Sequence, residues 1–487
     1  MDYTTEEVNR LLQTGIDLSK EKDKKRVLNK ILDASMEITH CDAGTLYICK
    51  DNLLHFKVMR TISQNIDRGR NDEEIDLPAV PMSDENICAY TVLNKRPLNI
   101  ADVYSCEDID FSGPQRYDRM TGYHTKSMMT IPLMDQRSQA VGVMQLINAM
   151  DRESGQVIPF SKRMEGIILA LASQAAIAMT NICFLEEINE QMWSFTEALA
   201  ETIDARTPYN ANHIRLVADY SCMIADRINE LHEQGIEEEY FPHYRREQLR
   251  LSALLHDIGK VAIPTSVMNK ATRLEHRLYD IKNRFELFRT RYELQLLKKN
   301  ISQEYYSQEI ANLDRTEKLV EKINGSGYLS QNLKDELQHI INKNYEDGIV
   351  SQPYFTNEEK ECLSIQFGTL TDKEREIMES HVELTERILD KVHFNHRYEK
   401  AKTWAAQHHE RLDGSGYPRH LTAEQLPLES RILAVADICD ALIATDRPYR
   451  KPIPRDRAFV ILYDMADQGK LDRKIVDYLH DSLTKSN

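Results

Sequence analysis

The chain has 487 residues, of which 41% are apolar and 29% are charged, and this composition is typical of a soluble globular protein with two or three domains. Its 62 basic and 78 acidic residues give a formal net charge of −16, which argues against non-specific binding to duplex nucleic acid or to anionic membranes. A small anionic ligand remains compatible with this charge, because a local pocket can be positive on an acidic protein.

Targeting signals and cysteine spacing predict a cytoplasmic protein without membrane insertion. The longest apolar stretch, Gly166–Met179, is shorter than the ~20 residues of a membrane-spanning helix. The N-terminal residues show no basic segment followed by an apolar one, so no signal peptide is expected. Eight cysteines without CxxC pairs are typical of reduced thiols.

The first 185 residues alternate between strand and helix patterns. Residues 43–59 read as two strands around the turn at Lys50, Asp51 and Asn52, and residues 127–149 read as two more strands. A long helix is predicted from about Ser161 to Ala205. This order indicates an α+β sensor module followed by a connecting helix.

The remainder of the chain is predicted to be helical. Residues 206–274 form one helical segment, and residues 275–367 form a charge-rich insertion that we interpret as a helical hairpin or coiled coil. The segment "NGSGYLS" from Asn324 is interpreted as a turn. After the insertion, Thr371 and Glu374 form a plausible capping box at the start of a new helix.

Several histidines and aspartates in this helical region share one sequence pattern: each lies on or beside an apolar helix face. The residues with this pattern are His213, His256, Asp257, His381, His408, His409, Asp437 and Asp440. His408 and His409 open the segment "HHERLDGSGYP" and are predicted to come late in a helix that includes Trp404.

Two interpretations of this pattern compete. A single histidine of this kind is more often a hydrogen-bonded core residue, and "HHERLDGSGYP" taken alone resembles a charged helix end stopped by glycine. A buried carboxylate without a partner is costly, however, so five helices that aim imidazoles and carboxylates inward indicate a shared metal centre in a helical bundle. Histidine and aspartate without thiolates suit iron or manganese better than structural zinc.

The motifs themselves resemble a known family. "HDIGK" (256–260) resembles the signature of the HD superfamily of metal-dependent phosphohydrolases, and "HHERLDGSGYP" (408–418) matches the signature of its HD-GYP subfamily. The similarity covers about residues 200–274 and 368–455. It implies an all-α phosphohydrolase domain with cyclic-dinucleotide phosphodiesterase activity, chiefly on cyclic di-GMP.

The resemblance also implies roles for individual residues. Asp257 would bridge two metals and, with Lys260, would be catalytic; Lys260, Tyr417, Arg447 and Lys451 would contact the substrate. Glu410, Asp413 and Asp440 would hold the imidazoles or the loop in place. The implied metal ligands are His213, His256, Asp257, His381, His408, His409 and Asp437.

Two departures from the family pattern affect these expectations. The first block reads "YNANH" in place of a YTxGH-like sequence, and Tyr209 stands where some members carry a carboxylate for a third metal. We therefore expect two divalent first-row metals, iron or manganese. The insertion separates "HDIGK" from His381, and a lid, a dimer contact and a partner platform are all open as its role.

The first half resembles GAF domains on the strength of "YDRMTGYHTKSMMTIPLM" and "AVGVMQLINAMD". GAF domains bind small molecules and often dimerise through flanking helices, so the resemblance implies a homodimer and a small-molecule ligand of unknown identity. Asn148, Phe160 and Glu165 match the signature of cyclic-nucleotide-binding members, whereas Ala149 and Met164 do not.

These observations predict a GAF domain (1–185), a signalling helix (186–205) and an HD-GYP domain (206–487). The expected function is GAF-regulated hydrolysis of cyclic di-GMP, or a related cyclic dinucleotide, to linear pGpG, GMP or both. An HD-type nucleotide phosphohydrolase of another specificity and a nucleotide-responsive signalling scaffold are the alternatives. The motifs do not distinguish cyclic di-GMP from cyclic GMP-AMP.

Overall fold

The computed structural model describes residues 13–18, 20–21, 23–70, 75–105, 115, 118–119, 122–206, 212–346, 350–444 and 453–485. The chain separates into two compact units, Met1–Met192 and Trp193–Asn487, and the division falls within one long helix. The domain limits at residues 185 and 205 stay a prediction.

The first unit is built on an antiparallel sheet. Its described elements are, in chain order, α1 Lys24–Thr39, β1 Cys41–Lys50, β2 Leu53–Thr61, β3 Ile66–Arg68, β4 Val80–Pro81, α2 Ile87–Asn94, β5 Leu98–Ile100, β6 Met128–Met134, β7 Ala140–Met150, β8 Val157–Ile158 and the start of α3 Lys162–Asp204. The strands lie in the order β3-β2-β1-β7-β6-β5, with β4 beside β2 and β8 beside β7.

The predicted strand pairs are present in this sheet. β1 pairs with β2 around Asp51 and Asn52, which both have positive φ angles (52° and 61°), as a tight hairpin turn requires. β6 pairs with β7 in the same antiparallel manner. The predicted α+β class of the first half is therefore confirmed.

Helices α1 and α3 pack on one face of the sheet, and α2 packs on the other. An 18-residue stretch of α3 is apolar enough to pass for a membrane span, but 50% of that stretch is buried within the protein. Ile168, Leu171, Ala175 and Met179 of α3 belong to the core against the sheet. Packing in this core accounts for the apolar face of the helix.

The second unit is mainly helical, as predicted. After α3, its described elements are α4 His213–Glu233, α5 His243–Leu255, a 3₁₀ turn at Ile258–Ala262, α6 Thr265–Met268, α7 Arg277–Leu297, α8 Gln303–Asn324, α9 Gln331–Ile340, β9 Asn344–Glu346, β10 Ser351–Pro353, α10 Asn357–Leu363, α11 Asp372–Glu379, α12 His381–Leu389, α13 Ala401–Ala405, α14 Leu428–Ile443, α15 Arg455–Asp467 and α16 Arg473–Lys485. Helix α4 lies at the centre and packs against α5, α14 and α16.

The insertion is more than the predicted helical hairpin. Helices α7 and α8 form the expected pair, but α9, the β9–β10 strand pair and α10 follow them. Tyr345 stacks on Phe288 with ring centroids 4.5 Å apart, and Tyr354 and Phe355 lie against Phe285. This aromatic core makes the insertion a small globular subdomain, which the helical pattern of α7 and α8 does not reveal.

Local details agree with the sequence in two places and differ in one. The capping box of Thr371 and Glu374 is present at the start of α11. The seven cysteines in the described part of the chain are all free. Helix α13 ends at Ala405, however, so His408 and His409 lie in the turn that follows the helix and not in the helix itself.

Candidate metal centre

Two packed helices place His213 and His256 side by side. Helix α4 begins at His213, and α5 ends at Leu255, immediately before His256. The facing sides of both helices are apolar and buried, so the polar rings at their ends are buried with them. The two ring centroids are 5.5 Å apart.

Asp257 begins a tight turn that is fastened to α12. The Thr385 hydroxyl donates to the carbonyl oxygen of His256 and accepts from the backbone N–H of Gly259, both at 3.0 Å. A Cβ atom on Gly259 would overlap the carbonyl oxygen of His381. The glycine therefore permits the close approach that brings the His-Asp pair to His381.

Three histidines are oriented by the same local contact. In each, Nδ1 donates to the carbonyl oxygen three residues earlier, which leaves Nε2 free to face the centre. The contacts are His256 to Ala253 (2.6 Å), His381 to Met378 (2.6 Å) and His408 to Ala405 (2.7 Å).

The Asp257 carboxylate lies between two groups of imidazoles. Its Oδ2 is 3.2 Å from Nε2 of His256 and 3.5 Å from Nε2 of His213. Its Oδ1 is 3.4 Å from Nε2 of His381 and 3.8 Å from Nε2 of His408. One carboxylate thus presents one oxygen to each group, which is the arrangement that a bridging ligand requires.

Asp437 on α14 also contacts both groups. Its Oδ1 lies 3.3 Å from Nε2 of His213, and its Oδ2 lies 3.6 Å from Nδ1 of His409. The ligand atoms of His381, His408 and His409 lie within 4.8 Å of one another, as do those of His213, His256 and Asp257. The structure therefore brings all seven predicted ligands into one cluster.

Two buried polar atoms of this cluster lack a hydrogen-bond partner within the described part of the chain and could instead bind metal ions. Nε2 of His256 and Oδ1 of Asp257 are buried and have no hydrogen-bond partner among the residues that the structure describes. A buried polar atom without a partner is costly, and a cation removes that cost. The donor set of five imidazoles and two carboxylates, without a thiolate, suits first-row divalent metals.

The protonation states of three imidazoles agree with this fit. Burial lowers the pKa of His381 to about 4 and the pKa of His409 to about 3. Burial, together with the neighbouring His409 and His256, lowers the pKa of His408 well below its ordinary value. All three rings are therefore neutral near pH 7, and a neutral imidazole is the form that binds a metal.

The pKa values of His213 and Asp257 are shifted by contacts between opposite charges in the cluster. Burial lowers the pKa of His213, but contacts with Asp257, Asp437 and Asp440 outweigh burial and leave this pKa well above its ordinary value. Burial raises the pKa of Asp257, but His256, Lys260 and the hydrogen bond from His213 outweigh burial, so this pKa lies well below its ordinary value. Both carboxylates that face the cluster, Asp257 and Asp437, are thus ionised.

Family models match both units of this chain. A GAF domain model matches residues 23–179, and two models described as HD domain match residues 210–349 and 359–475. The chain combines a GAF domain with an HD domain. The predicted GAF and HD resemblance is therefore confirmed, and the cluster lies in the HD domain.

Curated relatives match a part of this chain. The chain is 42% identical over 113 residues (23% of this chain, 29% of the relative) to the cyclic di-GMP phosphodiesterase response regulator RpfG of Xanthomonas campestris. It is 42% identical over 92 residues (19% and 24%) to a cyclic di-GMP phosphodiesterase of Thermotoga maritima. It is 40% identical over 95 residues (20% and 20%) to the 3'3'-cGAMP-specific phosphodiesterase 3 of Vibrio cholerae. The chain thus spans less than a third of the length of these relatives.

Three further predicted residues of the HD domain make hydrogen bonds to the His213 ring or within residues 410–421. Oδ2 of Asp440 lies 2.6 Å from Nδ1 of His213. The buried Glu410 carboxylate accepts the backbone N–H groups of Arg419 (2.7 Å) and Leu421 (2.9 Å), which holds the loop that contains Tyr417. Asp413 accepts from the backbone and the hydroxyl of Ser415 in the preceding turn.

One side of the cluster of seven predicted ligands is accessible to solvent. The side chains of His409 and Lys260 are 24% and 20% exposed, and the Tyr417 ring lies 4.8 Å from the His409 ring. Nζ of Lys260 lies 2.5 Å from Oδ2 of Asp257. The other two predicted substrate contacts, Arg447 and Lys451, lie outside the described residues.

Sequence reasoning missed two residues at this site. Thr385 lies one helical turn after His381 on α12, and this spacing was the available signal for its role beside the ligand. Asp204, at the end of α3, interacts electrostatically with His213 and Asp257. Burial raises its pKa to about 6. No sequence motif points to Asp204, because its proximity to His213 and Asp257 exists only in the folded chain.

Proposed function

We propose that this protein is a metal-dependent phosphodiesterase that hydrolyses cyclic di-GMP, or a related cyclic dinucleotide, to linear pGpG, GMP or both. The observation that carries the proposal is the Asp257 carboxylate, whose two oxygens face two separate groups of buried imidazoles. Relatives named as cyclic di-GMP and 3'3'-cGAMP-specific phosphodiesterases support the same chemistry.

The seven clustered residues would hold two cations, iron or manganese, and Asp257 would present one oxygen to each. When bound, two such cations supply Lewis acidity that activates water and neutralises the phosphodiester charge. Asp440 fixes the orientation of the His213 ring, and Thr385 fixes the turn that carries Asp257. These fixed positions are what the chain itself contributes before substrate arrives.

The accessible side of the cluster is the proposed substrate side. Lys260 is a partly exposed cation at the cluster, so its ammonium group suits a phosphate oxygen. Tyr417 lies beside His409 at the same opening, where its ring suits contact with the dinucleotide. Arg447 and Lys451 stay predicted contacts.

The names of the relatives do not agree on which bases the cyclic dinucleotide substrate carries. The matched relatives include enzymes named for cyclic di-GMP and an enzyme named for 3'3'-cGAMP, at 42% and 40% identity. Both nucleotides therefore belong in the first assay. Cleavage of neither would favour the signalling scaffold or another nucleotide substrate.

We also propose that the GAF domain regulates the activity in a cytoplasmic homodimer. Helix α3 exposes apolar side chains at coiled-coil spacing, namely Phe184, Ile188 and Phe195. A second copy of the same helix is the partner that would cover them. The small-molecule ligand of the GAF domain has no assigned identity.

The testing experiment is anaerobic purification followed by metal analysis and turnover assays with cyclic di-GMP and cyclic GMP-AMP. We expect about two first-row metals per chain, and we expect turnover to be lost in Asp257→Ala. Asp219→Ala is the matched control, because Asp219 is an exposed carboxylate on α4. A metal-free wild-type protein, or turnover that survives in Asp257→Ala, would refute the proposal.

A further inference from the structure

Arg206 lies two residues after the end of α3 and reaches the turn that follows Asp257. Its guanidinium donates to the carbonyl oxygens of Lys260 (3.4 Å) and Ile263 (3.4 Å) and, more closely, to that of Val261. One side chain thus contacts three carbonyl groups of the Ile258–Ala262 turn and its cap.

Arg206 adds a donor at the end of this turn, where the Lys260 carbonyl oxygen also accepts the backbone N–H of Ile263. The last carbonyl groups of a short helical turn have few partners within the turn, and an arginine at that end both satisfies them and interacts favourably with their partial negative charge. The side chains of Val261 and Ala262 are exposed, so the outer side of the turn has little packing of its own. The Arg206 guanidinium therefore holds this outer side through hydrogen bonds.

The inner side of the same turn is held by a different element. Thr385 of α12 bonds the backbone of His256 and Gly259, as described above. Between these two attachments lie Asp257, which faces both imidazole groups, and Lys260, whose Nζ contacts Asp257. A shift of Arg206 would displace one attachment and leave the other in place.

The backbone of Arg206 is itself connected to the segment after the turn. The Asn269 side-chain amide, at the end of α6, approaches the Arg206 carbonyl oxygen at 3.5 Å. Arg206 is thus linked through both its main chain and its side chain to residues 260–269. Its own position is set by α3, which ends at Asp204.

We propose that Arg206 is a positioning residue that couples the end of α3 to the His-Asp turn, and so sets the placement of Lys260 and Asp257 for catalysis. The catalytic part of this inference rests on the proposed phosphodiesterase function. The mechanical part, that Arg206 orders the turn, does not depend on it. A movement of α3 would then change turnover without changing any metal ligand.

The test compares Arg206→Ala, Arg206→Lys and the control Arg215→Ala in the full-length protein. Arg215 is 65% exposed and pairs with Glu201 of α3 at 4.0 Å, so its loss removes an arginine contact with α3 but leaves the turn untouched. The readouts are hydrogen–deuterium exchange of the 258–263 segment, Mn²⁺ content, and kcat and KM for the cleaved dinucleotide.

In Arg206→Ala we expect amide exchange in the 258–263 segment to rise about 10-fold while exchange in α14 stays unchanged. We expect kcat to fall about 100-fold with little change in KM or Mn²⁺ content, because a displaced catalytic group loses alignment before it loses binding. Arg206→Lys keeps a cationic donor and should recover part of both effects.

Unchanged exchange in the 258–263 segment of Arg206→Ala would overturn the proposal, and so would an equal effect in Arg215→Ala. If Arg206→Ala does not fold, the same comparison is made between Arg206→Lys and wild type. If wild type cleaves no cyclic dinucleotide, the proposed function fails, while the exchange measurement still decides whether Arg206 orders the turn.

Discussion

Oδ2 of Asp440 lies 2.6 Å from Nδ1 of His213, although the two residues are 227 positions apart in the chain. Nε2 of the same ring lies 3.3 Å from Asp437. Because Asp437 and Asp440 are one turn apart on α14, a single helix provides both a proposed ligand and the carboxylate that orients another ligand.

Asp440→Asn tests this orienting contact. The amide keeps the shape of the carboxylate but lacks the charge that fixes the His213 ring, so we expect Mn²⁺ affinity to fall about 10- to 100-fold. Calorimetric titration of the metal-free protein measures the affinity. Asp219→Asn, an exposed change on the same helix as His213, should leave it unchanged. Equal affinity in Asp440→Asn and wild type would contradict the role of Asp440.

Gly259→Ala tests the close contact between the His-Asp turn and α12. The added methyl would overlap the carbonyl oxygen of His381 and lie 2.6 Å from the backbone nitrogen of Thr385. We expect the free energy of unfolding to fall by about 1–3 kcal/mol.

Urea unfolding followed by tryptophan fluorescence reports this change, since both tryptophans, Trp193 and Trp404, lie in the second unit. Gly327→Ala is the control, because a Cβ atom there would have no described atom within 4 Å. The contact would be unimportant if the two variants unfolded at the same urea concentration.

The neutral imidazoles predict a pH dependence of stability in the metal-free protein. The pKa of His381 is about 4 and that of His409 about 3 in the folded state, because both are buried. An unfolded histidine has a pKa of about 6.5, so below that pH the unfolded chain binds protons that the folded chain does not.

The contribution of these two rings to the free energy of unfolding should therefore be fully present above about pH 6.5 and should fall as the pH is lowered towards about 5. Urea midpoints measured across this range, with a chelator present, follow the change. His381→Gln removes one of the buried rings and should make the dependence shallower. An equal pH dependence in His381→Gln and wild type would rule out a buried neutral ring at His381.

Ile188→Glu tests the proposed dimer. Ile188 and Phe195 are 61% and 67% exposed and lie seven residues apart on α3, so a charge at Ile188 would face the seam of a two-helix contact. Light scattering should show a dimer for wild type and a monomer for the variant. Ile236→Glu alters an equally exposed apolar residue outside α3 and should stay dimeric. A variant that remains dimeric would place the interface elsewhere.

Local patterns predicted much of this molecule. The β1–β2 hairpin, the β6–β7 pair, the capping box at Thr371 and the extent of α3 all depend on residues a few positions apart, so the sequence alone determined them. The motifs "HDIGK" and "HHERLDGSGYP" likewise identified the HD domain. The sequence pattern extended a helix too far at His408, since α13 ends at Ala405 and the His408 ring donates to the Ala405 carbonyl oxygen in the turn that follows.

The tertiary structure alone decided which distant residues meet. It brought Asp257 between two groups of imidazoles, Thr385 onto the His-Asp turn from the inside and Arg206 from the outside. It also converted a predicted hairpin into a subdomain with the Phe288–Tyr345 stack at its centre. The reason is physical: helical propensity and turn chemistry act over a few residues, whereas burial and hydrogen bonding between distant segments exist only after the helices have packed.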